Sequence, residues 1–128
     1  MAKGTLEHVN LTVSDPLKTA EMVCKLFGWH IRWQGPAMAG AGYTVHVGDG
    51  DTYLAVYGQG DRQDVDVASY QQIAGLNHVG VVVDDLDDVE AKVVDMGMTP
   101  VNHGDYGPGK RFYFHDHDGV EFEVVSYG

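Results

Sequence analysis

Leu6-Glu7-His8-Val9-Asn10-Leu11-Thr12-Val13-Ser14-Asp15 is answered, at a constant offset of 70 residues, by Leu76-Asn77-His78-Val79-Gly80-Val81-Val82-Val83-Asp84-Asp85. Each stretch alternates as a strand does, ends on residues that suit a helix start, and carries a histidine at the same point. Successive strand side chains point to opposite faces. Val9, Leu11 and Val13 therefore share an apolar face, as do Val79, Val81 and Val83. His8 falls with Asn10 and Thr12, and His78 with Gly80 and Val82, away from the face expected to meet a helix. The matched pair suggests a site shared by two related modules; the plainer alternative is two inherited packing residues.

Working outward, Ser14-Asp15-Pro16 predicts a helix start, with a capping side chain followed by proline at the first helical position. Leu17, Ala20, Val23, Cys24 and Phe27 recur at helical spacing, and Gly28 supplies the stop. Strands are expected at Trp29 to Gln34, Tyr43 to Val47 and Thr52 to Tyr57, with the small-residue loop Gly35 to Gly42 and the turn Gly48 to Asp51 between them. The second half repeats the order. Asp84-Asp85 caps a helix carrying Leu86, Val89, Val93 and Met96, Gly97 ends it, and strands follow at Met98 to His103, Arg111 to His115 and Val120 to Ser126. The fold class expected is α+β: two βαβββ modules, about 5–58 and 76–127, forming one domain over 1–128. The polar stretch Gly58 to Gly75 joins them, with a short helix near Val67 to Ile73. A lone βαβββ unit leaves one sheet face bare, so the pair is expected to form a cupped, partly closed mixed sheet with the helices outside.

Composition narrows the partners. The 128 residues suit a single domain, and 19 acidic against 8 basic residues give a formal charge of −11, which disfavours nucleic acid and anionic membrane surfaces. The one cysteine, Cys24, cannot form an internal disulfide and reads as a reduced, buried thiol. No signal core or spanning apolar run occurs, so a cytoplasmic location is expected.

The third candidate ligand is Glu123. Phe122 and Val124 share one face, leaving Glu121 and Glu123 on the other, where a carboxylate is either bound to a cation or solvated on an edge. Two histidines and one carboxylate make the facial set that leaves open positions on Fe(II) or a similar divalent ion.

These residues, with the ending Phe112-Tyr113-Phe114-His115-Asp116-His117-Asp118-Gly119 that leads to Glu123, resemble the vicinal oxygen chelate superfamily. That superfamily includes glyoxalase I, extradiol dioxygenases, fosfomycin-resistance enzymes and bleomycin-binding proteins. The likeness runs from Leu6 to Ser126, with His117 replacing the usual proline. It implies one divalent metal ion, Fe(II) or Mn(II) before Zn, Ni or Co, on His8, His78 and Glu123. It also implies a small-molecule substrate bound through adjacent oxygens, and a homodimer whose sites lie within one chain or across two. Ala55 stands where glyoxalase I has its first-module glutamate, which argues against that reaction. By the same resemblance His103 and Tyr113 take the positions that act on bound substrate in extradiol ring cleavage, although the family's other catalytic histidine has no counterpart. Glyoxalase-type isomerase or lyase chemistry, fosfomycin-type thiol transfer and metal-free binding of the bleomycin-resistance kind stay open.

Overall fold

The first repeat folds as β1 (His8–Thr12), α1 (Pro16–Phe27), β2 (His30–Pro36), β3 (Tyr43–Gly48) and β4 (Tyr53–Gly58). The computed structural model describes residues 2–37, 41–60, 67–106 and 108–128; parts of the expected loop and linker, 38–40 and 61–66, lie outside them. Asp15 is extended and its side chain accepts the Lys18 N–H, while Pro16 occupies the first turn. At the other end Gly28 turns left-handed (φ 69°) and donates to the Cys24 carbonyl. A helix this short is marginal alone, so packing holds it: Thr19, Ala20, Met22, Val23 and Leu26 are buried. The sheet runs in the order β1-β4-β3-β2, with β1 parallel to β4 and the other pairs antiparallel. Val45, Val47, Leu54 and Val56 are buried in it, each worth about 1.5–3 kcal/mol.

The second repeat gives β5 (Val79–Val82), α2 (Leu86–Asp95), β6 (Val101–Tyr106), β7 (Gly109–His115) and β8 (Glu121–Ser126), in the sheet order β5-β8-β7-β6. Asp85 caps α2 by accepting the Asp88 N–H at 3.0 Å, and Asp87 and Asp88 in the first turn suit the positive end of the helix dipole. Val89 and Val93 are buried with Phe112, Phe114, Phe122 and Val124. The Phe114 and Phe122 rings stack at 5.1 Å. The β7–β8 turn hangs on Asp116, whose Oδ1 accepts the N–H groups of Asp118 and Val120, both at 2.9 Å.

The α+β class and the doubled βαβββ order are therefore observed. The chain divides into the compact units Met1–Gln63 and Asp64–Gly128. Some boundaries differ from expectation. Strand β6 begins at Val101 rather than Met98, because Gly97 is left-handed (φ 85°) and Met98 still donates back to Val93. Leu17 is exposed and Cys24 half-buried, the helix having turned Met22 and Leu26 inward instead. The helix expected near Val67 to Ile73 is a single 3-10 turn, Ser69–Gln71. Both outer strands, β2 and β6, carry an irregular register against their neighbours.

Candidate functional site

In the second unit the register of β7 with β8 pairs Arg111 with Val125, Tyr113 with Glu123 and His115 with Glu121, so these side chains share the face opposite the phenylalanines. His78, just before β5, joins them. Its Nε2 lies 3.0 Å from Glu123 Oε1, and the other carboxylate oxygen, Oε2, accepts from Arg111 at 2.7 Å. The Glu123 and Arg111 side chains are 13% and 17% exposed, so the ion pair is largely shielded from water. The Tyr113 ring meets His78 edge-on at 5.9 Å. Beyond it His115 Nε2 lies 3.2 Å from Glu121 Oε1.

The other ring nitrogen decides what His78 can bind. Nδ1 donates to Asn77 Oδ1 at 2.7 Å, so the proton of a neutral ring sits there and the Nε2 lone pair faces Glu123. An oxygen and a nitrogen lone pair facing each other repel unless a proton or a cation lies between them. Two adjacent ligands at about 2.1 Å from an octahedral ion are about 3.0 Å apart, which is the separation of His78 Nε2 and Glu123 Oε1. The pair thus fits two neighbouring positions on a divalent ion. Among the described residues no group of three or more His, Cys, Asp or Glu side chains gathers to hold one.

His8 belongs to the first unit and repeats the arrangement in part. Its Nδ1 lies 2.8 Å from Oε1 of the preceding Glu7, again leaving Nε2. The bond from His8, followed by one from Tyr53, draws the Glu7 carboxyl below its ordinary range. Aromatic rings gather around His8. His8 stacks on Tyr53 at 4.9 Å, Tyr53 on His46 at 4.7 Å, and Trp33 tilts against His46 at 5.0 Å, with the Arg32 guanidinium 4.4 Å from the Tyr53 centroid. Burial, then the nearby His8, lowers the His46 pKa. The registers match the two units position by position: Asn10 pairs with Ala55 as Gly80 pairs with Glu123, and His46 with Ala55 as Tyr113 with Glu123. By register Ala55 thus corresponds to Glu123, and His46 to Tyr113.

The structure brings His78, Glu123 and Tyr113 together, and it does not bring His103 to them. His103 Nε2 lies 2.8 Å from Glu90 Oε2 on α2, and its ring stacks on Phe112 at 6.0 Å. The cause is the bulge in β6. Val101 pairs with Tyr113 but Gly104 with Arg111, so an extra residue separates them; in an unbroken ladder residue 103 would share the Arg111 face. Asn102, at φ 53°, absorbs the irregularity. Sequence reading missed Arg111, Asn77 and Glu7. Residues directly preceding the two histidines were the available signal, both being able to accept a hydrogen bond.

A domain from Frankia sp. EAN1pec described as glyoxylase/bleomycin resistance protein/dioxygenase aligns with TM-score 0.81 at 18% identity, covering 99% of this chain and 100% of that one. The fosfomycin resistance protein FosX of Listeria monocytogenes, complexed with Mn(II) and sulfate ion, aligns with TM-score 0.72 at 16% identity over 98% and 93%. TioX from Micromonospora sp. ML1 aligns with TM-score 0.67 at 19% identity over 98% and 100%. Among curated proteins none matches the sequence. The family model for the Glyoxalase/Bleomycin resistance protein/Dioxygenase superfamily matches residues 5–124, nearly the whole chain, and the chain belongs to that superfamily.

Proposed function

We propose that this chain is a divalent-metal-dependent enzyme that binds a small substrate through two adjacent oxygens, its two modules working as one domain with His8, His78 and Glu123 as the protein ligands. One observation carries the reading: both histidines hold Nδ1 against an acceptor on the preceding residue, leaving Nε2 for a ligand bond, and His78 Nε2 already meets Glu123. Outer partners of this kind fix ring orientation at metal sites. Mn(II) and Fe(II) suit a mixed imidazole and carboxylate set, and Mn(II) is the ion held by FosX. Such an ion would polarise the chelated oxygens and stabilise negative charge developing there. Tyr113, whose ring meets His78 edge-on, is the residue proposed to hydrogen-bond a bound substrate. The reaction is not narrowed to ring cleavage, because His103 lies on the far face of its sheet from Tyr113. A cytoplasmic homodimer is part of the proposal.

Metal analysis and titration with Mn(II) under anaerobic conditions test it. About one ion per chain is expected, with affinity falling roughly 10- to 100-fold or more in His78→Ala, His8→Ala and Glu123→Gln. Unchanged affinity in the histidine variants would overturn the ligand set.

A second reading, a metal-free small-molecule binder, draws on the first unit's stack of Trp33, His46, Tyr53 and His8, since Trp33 is 49% exposed. Binding of a planar ligand with equal strength before and after chelator treatment would favour it.

A further inference from the structure

Glu123 divides its two oxygens between two partners, and that division has a consequence for any ion bound there. Oε1 faces His78 Nε2 at 3.0 Å; Oε2 accepts from Arg111 at 2.7 Å. A carboxylate that binds a metal through both oxygens must present both to it. With Oε2 held by a guanidinium and the pair mostly buried, the carboxylate cannot swing to do so without breaking a charge-assisted hydrogen bond. Resting on the metal reading above, we infer that Arg111 is a positioning residue that restricts Glu123 to one metal bond and so keeps an additional coordination position open for substrate or water.

The open position matters for chelation of two adjacent oxygens. An octahedral ion with three single-bond protein ligands keeps three positions, whereas a two-oxygen carboxylate removes one of them. The first unit offers an internal contrast. Where Glu123 and Arg111 stand in the second unit, Ala55 and Thr44 stand in the first, so the carboxylate and its guanidinium are absent together. Arg111 itself sits on β7 between Lys110, which pairs with Ser126 of β8, and the buried Phe112.

Water-proton relaxation by bound Mn(II) counts the exchangeable waters on the ion and tests the inference without a substrate. Arg111→Met frees Oε2, so the bound ion should lose about one water relative to wild type and bind no more weakly, an added oxygen replacing a neighbouring positive charge. Arg111→Lys retains a donor and a charge and should keep the wild-type hydration. A merely structural arginine would instead weaken binding in both variants and leave the water count alone. Unchanged hydration in a folded Arg111→Met protein that binds Mn(II) overturns this inference and leaves the metal reading intact; failure of the wild-type chain to bind Mn(II) overturns both. If Arg111→Met does not fold, Arg111→Leu, which likewise carries no donor, is measured against the same expectation.

Discussion

Asp116 is the buried carboxyl outside the candidate site among the described residues, 7% exposed and tied through Oδ1 to two backbone amides. Burial holds its pKa above the ordinary range, against the opposing pull of those amides and of His117. The folded chain then binds this proton more tightly than the unfolded chain. Stability tied to this group is therefore complete below the ordinary carboxylate pKa of about 4 and declines as pH rises through the raised folded value. Asp116→Asn keeps an acceptor for the amides and removes the titration. Its melting temperature relative to wild type should rise from about pH 4 upward; a difference that stays flat across a pH series would remove burial of the charge as the cause. At this scale the sequence was readable where alternation decides the face, as for His8, His78 and Glu123. It was silent where a rotamer decides the partner: Asn77, Glu7 and Arg111 matter through single hydrogen bonds that no periodicity encodes.

The elements were legible through their ends. Asp15 and Asp85 cap their helices, and Gly28 terminates the first, because those side chains do locally what an unfinished helix needs. The bulges were not legible, since an extra residue leaves the alternation intact on either side and only the partner strand reveals it. That is how His103 came to lie against Glu90 rather than beside Tyr113. Gly48 marks the opposite case, a turn residue whose need is steric. A Cβ there would run into the Thr52 carbonyl and within 2.7 Å of Tyr53 Cα, at the register pair that closes β3 on β4. Gly48→Ala should cost about 1–3 kcal/mol, read as a lower urea midpoint with an unchanged slope. Wild-type stability in this variant would mean that the hairpin relaxes freely, and with it the seat of Tyr53 beneath His8.

For the whole molecule, the expectation that His8 acts with His78 and Glu123 gives a mixing experiment. If the working homodimer builds each site from the first module of one chain and the second of its partner, combining His8→Ala with Glu123→Ala chains restores a share of metal binding, because one hybrid site regains all three ligands. A stable dimer without recovery places the site within a single chain, and a metal-loaded monomer in sedimentation removes the dimer. The repeat itself was legible because 70 residues separate two nearly superimposable openings; which modules share a site was not, since either pairing leaves the same sequence pattern. The duplication also bears on how such a chain can change over generations. Packing in each sheet rests on one face, Val45, Val47, Leu54 and Val56 in the first and the phenylalanines in the second, while the histidines and their neighbours occupy the other. A residue on the polar face, Ala55 in the first unit where Glu123 stands in the second, can therefore differ between the copies while the valines and phenylalanines of the packing faces stay in place.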